Sequence, residues 1–253
     1  MKLHQIRNAT IVIEYNGIRF LIDPMFAPKE EYPPIIDKPW PLHNLPVPPK
    51  DILKNINAII ITHLHTYHFD KYAQDILPKN IKIFVQDIFD KNALEKEHFN
   101  NIEVVKPEGT EFEGIYLYKS ECRHGVRELV EPLFLANGMR WEAMGVVFKS
   151  ETEPTLYLTG DTLWFDGVKN ALDTHKPEYT IVNPAYTQIG MNYPTIMGIE
   201  DLKVLHEYAP DTKIIASHMD SVSNASLNRE DIRKSDVSDY VYLPADGEIM
   251  LLN

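Results

Sequence analysis

Cysteine is nearly absent: Cys122 stands alone among 253 residues, so no internal disulfide can form, which suits a reducing compartment. No motif marks this thiol as a nucleophile, and a small buried hydrophobe is its expected role. An excess of positive charge is missing too. The 25 Lys and Arg against 37 Asp and Glu leave a formal charge of −12, which argues against the basic surface that nucleic acid or an anionic membrane demands. No stretch approaches the roughly 18 apolar residues that cross a bilayer, and Met1-Lys2-Leu3-His4 opens the chain without a long apolar segment behind a basic head. The expectation is a cytoplasmic protein acting on a small-molecule substrate, with no nucleic-acid or membrane partner and with a homo-oligomer left open. No composition break or flexible linker divides the chain, so residues 1–253 read as a single domain.

What is present begins with a hairpin pattern, Thr10–Tyr15 and Ile18–Asp23 around Asn16-Gly17. Eight of the 18 prolines then fall between residues 28 and 49. A segment so poor in backbone donors is neither helix nor central strand, so an ordered surface loop is expected over 26–50, with Tyr32 and Trp40 able to cover a pocket. Beyond it, short apolar runs predict strands at 57–62, 81–85, 102–105, 110–119, 145–149, 155–158, 179–182 and 213–216, with a last pair at 240–243 and 248–252. Helical patterns predict segments at 71–77, 88–98, 166–172 and 198–208. Two mixed sheets packed face to face with helices outside fit this order. Residues 126–144 fit neither sheet and read as a helical insertion beside the site.

The chemistry is concentrated at strand ends. His63, His65 and His68 follow the apolar run Asn57–Ile61, and His124 follows the strand ending near Lys119. Asp161 follows Leu156–Gly160, and His218 follows Ile214–Ser217. A strand holds such a residue rigidly while the following loop leaves it open to substrate. One histidine so placed is usually scaffold, but four junctions carrying histidine or aspartate point to a divalent ion, because imidazole is the commonest ligand for zinc and related metals. His4, His43, His98, His175 and His206 lack this placement and read as solvated or structural, with only His43, in the proline loop, kept in view.

The combination resembles the metallo-β-lactamase superfamily, whose signature is His-x-His-x-Asp-His followed by a histidine, a Gly-Asp and a final histidine. The resemblance runs from Leu21-Ile22-Asp23-Pro24 through Thr159-Gly160-Asp161-Thr162 to Ser217-His218-Met219-Asp220, and Asn8-Ala9-Thr10 is similar to a segment of the L-ascorbate 6-phosphate lactonase-like branch. It implies an αββα sandwich with the site along one edge of the sheets. It also implies that His63, His65 and His124 bind a first metal, that Asp161 bridges, and that His68 and His218 bind a second. Zinc is the expected ion, with manganese or iron as alternatives. The signature aspartate aligns with Tyr67. A phenol with an ordinary pKa of about 10 is mostly neutral at pH 7, so the expected outcome is a second site held by Asp161, His68 and His218 alone, with one or two ions bound in all. A tyrosinate ligand is the alternative. Asp70 and Asp23 read as supports rather than ligands.

The implied reaction is metal-assisted hydrolysis of a small ester, lactone or phosphoester, with Asp161 steering the attacking water and Tyr67 supplying the leaving-group proton. Arg123, Arg127, Arg140 and Arg229 are open to two readings, anion binding or solvated surface charge. The competing class is a degenerate member with one or no metal, acting as a binding or regulatory protein. An iron oxidoreductase on the same fold is disfavoured, since such sites usually carry glutamate where His65 stands.

Overall fold

A computed structural model describes residues 1–190 and 192–253. The first half builds β1 (Lys2–Arg7), β2 (Thr10–Tyr15), β3 (Ile18–Ile22), α1 (Pro49–Ile52), β4 (Ala58–Ile60), α2 (Lys71–Ile76), β5 (Lys82–Val85), α3 (Ile88–Lys96) and β6 (Ile102–Val104). The second half builds β7 (Thr110–Phe112), β8 (Ile115–Glu121), α4 (Arg127–Ala136), β9 (Met144–Lys149), β10 (Leu156–Leu158), α5 (Asp166–His175) and β11 (Tyr179–Val182). There follow β12 (Gln188–Ile189), β13 (Tyr193–Pro194), α6 (Ile199–Tyr208), β14 (Lys213–Ala216), α7 (Arg229–Arg233), β15 (Val241–Tyr242) and β16 (Ile249–Leu251).

Two seven-stranded sheets result, in the orders β16-β1-β2-β3-β4-β5-β6 and β15-β14-β11-β10-β9-β8-β7, with β12 and β13 as a separate ribbon. The two-residue side-chain period sorts each strand between faces. Ile11, Ile13, Ile22 and Ile60 point between the sheets, against Val146, Phe148, Leu158 and Ile181. Their neighbours Val12, Leu21 and Ile59 point outward onto Ile52, Ala73 and Leu94 of the first helices. On the far side Tyr157, Val182 and Ile214 meet Val168, Leu202 and Ile232. Both sheets are therefore covered on both faces, and the architecture is the expected four-layer αββα sandwich.

Several expectations need correction. The single strand expected over 110–119 is a hairpin, because Glu113 and Gly114 both take positive φ, 53° and 76°, the geometry of a tight two-residue turn. The last pair does not pair with itself: β15 lies beside β14 in one sheet and β16 beside β1 in the other. The strand Lys2–Arg7 was not anticipated, and it places Asn8, at φ 56°, in the turn before β2. Residues 127–136 form α4, and the segment that follows it to Ala143 has no regular structure.

Strands β3, β4 and β5 run parallel, as do β10, β11 and β14. Their carboxyl ends open at one edge of the sandwich, and there the chain places its polar residues.

Candidate metal centre

The loop from β4 to α2 is short and tightly tied. His68 and Phe69 donate their backbone N–H to the His65 carbonyl at 2.8 and 2.9 Å, and Asp70 closes the loop as the N-cap of α2, accepting from Ala73 N at 2.8 Å. The other carboxylate oxygen of Asp70 accepts from Ala27 N at 2.7 Å, so this side chain also fixes the start of the proline loop. Gly160, at φ 68°, turns the chain after β10; a Cβ there would collide with the Met144 carbonyl. His218, at φ 59°, is fastened by its N–H to the Asn8 carbonyl at 2.9 Å. The Asn8 side chain in turn donates to the Tyr67 carbonyl at 3.0 Å, so the turn before β2 joins two arms of the site.

Around Asp161 Oδ2 stand His68 Nε2 at 3.2 Å, His218 Nε2 at 3.8 Å, and His63 Nε2 and His124 Nε2 at 3.9 Å. Their side chains and that of His65 are all buried. The ligand atoms of His63, His65 and His124 lie within 4.8 Å of one another, as do those of His63, His68 and Asp161.

Hydrogen bonds on the outer side of four rings decide which nitrogen carries the proton. His68 Nδ1 donates to Asp23 Oδ2 at 2.8 Å, His124 Nδ1 to the Thr195 carbonyl at 2.9 Å, and His65 Nε2 to the Arg140 carbonyl at 2.6 Å. These acceptors carry no proton to give. Thr62 Oγ1 spends its own proton on Asp23 Oδ2 at 2.7 Å, so it accepts from His63 Nδ1 at 3.1 Å. His63, His65 and His124 then turn a lone pair inward, and His63 Nε2 and His65 Nδ1 are buried without a partner in the protein.

Burial keeps four of the five rings uncharged: it lowers His63 and His124, and brings His65 to about 3 and His218 to about 4. Burial opposes charge on Asp161 as well, but His68 and His218 outweigh it and hold the carboxyl well below the usual range. His68 records the strength of that field. Burial would depress it, yet Asp161 and Asp23 on either side push it up to about 10, so His68 holds both ring protons and its Nε2–H donates to Asp161 Oδ2 at 3.2 Å, a proton that ligation of a metal would displace. The inward lone pairs of His63, His65 and His124 beside an ionised, buried carboxylate repel one another unless a cation lies among them, so the donor set fits a divalent ion.

No family model matches the chain. Individual proteins do: UPF0173 protein YddR of Bacillus subtilis is 41% identical over 257 residues, spanning 98% of both chains. The crystal structure of an isothiocyanate hydrolase from Delia radicum gut bacteria superposes with a TM-score of 0.92 at 38% identity, covering 100% of this chain and 99% of that one. A possible metal-dependent hydrolase from Veillonella parvula superposes with a TM-score of 0.93 at 35% identity, again over 100% and 99%.

The chain belongs to the UPF0173 family, within the metallo-β-lactamase superfamily. It shares its fold with these two hydrolases over its whole length.

In this UPF0173 protein a cleft of about 600 Å³ opens over His124, Asp161 and His218. Its walls are Tyr32, Trp40, Tyr67 and Phe134, with Ile35, Ile36, Ile189 and Val222. Trp40 lies between Tyr32 and Tyr67, with ring centroids 4.4 and 5.2 Å away and the rings tilted by 32° and 54°. Phe134 of α4 lies against the His124 ring at 5.0 Å and the His65 ring at 5.1 Å. Among the described residues no lysine or arginine lines this cleft.

The arginines have other partners. Arg127 pairs with Glu131, Arg123 lies over Phe165, Arg140 meets Asp87, Asp90 and Glu142, and Arg229 is clamped by Asp220 and Asp246. Anion binding in the cleft is thus not their work, and solvated charge does not describe Arg140 or Arg229. Cys122 donates its thiol to the Thr159 carbonyl at 3.1 Å, and burial pushes its pKa well up. Tyr67 makes no hydrogen bond to any of the six ligand candidates among the described residues. Burial, with the charge on Asp161, raises its phenol to about 12.

Sequence reasoning passed over Asn183, which donates to Asp161 Oδ1 at 2.7 Å and fixes the carboxylate plane. It follows β11 directly, the same placement that marked the histidines, but an amide is not a usual ligand type. Thr195 and Arg140 act through their carbonyls, for which no side chain gives a signal.

Proposed function

We propose that this chain hydrolyses small, uncharged electrophiles of the isothiocyanate class. In this reading His63, His65 and His124 would hold a first divalent ion, His68 and His218 a second, and Asp161 would serve both. The supporting observation is the set of inward-facing lone pairs of His63, His65 and His124 beside Asp161 Oδ2, beneath a cleft whose described walls carry no lysine or arginine. A divalent ion, zinc before manganese or iron, supplies a Lewis acid there and makes water acidic enough to act as a nucleophile near neutral pH.

The chain's own residues do the rest. Asp161, ionised and oriented by Asn183, accepts a hydrogen bond from the attacking water and aims its oxygen. Water adds across the C=N bond to give a thiocarbamic acid, which then breaks its C–N bond and leaves as amine and carbonyl sulfide. In the addition the water oxygen bonds to carbon as the C=N π bond breaks. The proton that water gives up passes by Asp161 to solvent, which later returns one to Tyr67, and nitrogen takes up a proton. Tyr67, protonated and on the cleft wall, supplies it. Trp40, Tyr67 and Phe134 receive an apolar substituent and shed water from it. The isothiocyanate hydrolase with which this chain shares 38% identity supports the substrate class.

An uncharged ester or lactone would meet the same groups, whereas a phosphoester would find no lysine or arginine on the described walls to receive it. Tyr67 is the sole support for a binding protein without catalysis, and the complete set at His63, His65 and His124 weighs against it.

The test compares hydrolysis of an arylalkyl isothiocyanate, a lactone and a phosphodiester by the wild type, His63→Ala and Tyr67→Phe. Isothiocyanate should be the preferred substrate. His63→Ala should lower its turnover at least a hundredfold, and Tyr67→Phe should lower kcat more than it changes KM. A preference for the phosphodiester, or full activity in His63→Ala, would sink the proposal.

A further inference from the structure

Arg140 carries more order than a surface ion pair needs. Its Nη1 donates to Asp87 Oδ1 at 3.1 Å and Asp90 Oδ1 at 2.8 Å, and its Nη2 to Asp87 Oδ2 at 2.8 Å. Glu142 Oε2 lies 3.2 Å from Nη2, and the guanidinium covers the Phe89 ring at 5.0 Å. The carboxylates are themselves held. Asp87 is the N-cap of α3, accepting from Phe89 N and Asp90 N at 2.9 Å, and Asp90, 1% exposed, accepts from Gln86 Nε2 at 2.8 Å. That same amide reaches the Glu142 carbonyl at 3.0 Å. A fork anchored at two carboxylates fixes a plane, which a point charge would not.

Beyond that contact and the Met139 N–H, which donates to the Phe134 carbonyl at 2.9 Å, the backbone here has little support of its own. Residues 139–143 belong to no helix or strand, and their carbonyls join no sheet ladder. Yet the Arg140 carbonyl is the acceptor for His65 Nε2 at 2.6 Å, the contact that turns Nδ1 toward the centre.

We infer that Arg140 is a positioning residue: its guanidinium, locked to the β5–α3 junction, holds the Arg140 carbonyl against His65 and thereby sets that ring's tautomer and aim. The inference rests on the metal reading above but not on the substrate. Its readout is therefore metal binding, which a wrong substrate leaves untouched.

The test uses Arg140→Lys, which keeps a cation among the carboxylates but loses the fork, and Asp87→Asn, which keeps a helix cap while removing one charged arm. Zn²⁺ affinity is measured by competition with a chromophoric chelator, thermal stability is measured in parallel, and ¹⁵N-histidine spectra report the His65 tautomer. Partners of metal-binding histidines usually contribute 10–100-fold to affinity. Arg140→Lys should weaken Zn²⁺ binding by roughly tenfold or more and shift the His65 nitrogen signals, with Asp87→Asn following in the same direction. Should Arg140→Lys not fold, Asp87→Asn is read alone by the same criteria. Unchanged affinity and unchanged His65 signals in a folded variant, even one with a lowered Tm, would overturn the inference and leave Arg140 a structural ion pair.

Discussion

Replacing Asp23 by asparagine tests whether outer hydrogen bonds prepare the centre. Asp23 accepts three: from Thr62 N at 2.7 Å on one oxygen, and from Thr62 Oγ1 at 2.7 Å and His68 Nδ1 at 2.8 Å on the other. Asparagine has the same shape and tolerates the positive φ of 44° at this position as well as aspartate does, so the backbone is a small part of the effect. With its amide NH₂ toward Thr62 N, two donors face each other, at a cost of about 1–3 kcal/mol. Turned the other way, the NH₂ donates to His68 Nδ1, which must then give up its proton, so the one ring proton that remains sits on Nε2, 3.2 Å from Asp161 Oδ2, and keeps that nitrogen from a metal. Either way the ring loses its carboxylate, and a 10–100-fold loss of metal affinity, about 1.4–2.7 kcal/mol, is expected. Chelator competition gives the affinity and thermal unfolding the stability. A variant with Zn²⁺ affinity within threefold of wild type and the same Tm would refute the tautomer argument.

Gly160→Ala should unfold at least several degrees below wild type, because the new Cβ meets the Met144 carbonyl at a positive φ; calorimetry checks it, and an unchanged Tm would contradict the close approach. Trp40→Ala removes the ring that joins Tyr32 to Tyr67, so KM for an aromatic substrate should rise about tenfold or more with kcat within about threefold, given that a buried aromatic is typically worth several kcal/mol. Steady-state kinetics decide, and an unchanged KM would remove Trp40 from the cleft wall.

How much of this could be read from the chain depended on where each signal resides. The histidines and Asp161 follow apolar strands, and a buried parallel strand is the plainest pattern a sequence carries, so both the sandwich and the site's edge were legible. Asp23 and Asp70 were legible as supports because each sits at an element boundary, where a carboxylate meets free backbone N–H groups. The Glu113-Gly114 turn was not, since glutamate rarely takes positive φ and gives no turn signal. Long-range pairing was hidden as well: β15 and β16 are adjacent in sequence but pair in different sheets, a choice made by the sandwich as a whole. Tyr67 could be read as a missing carboxylate, whereas its contact with Trp40 depends on how the proline loop folds back.

An X-ray data set collected at the metal's absorption edge, on protein purified without chelator, addresses the site itself. It should show an anomalous peak within bonding distance of His63 Nε2, His65 Nδ1, His124 Nε2 and Asp161 Oδ2. An active, folded protein with no peak there would contradict the assignment of these residues to a metal.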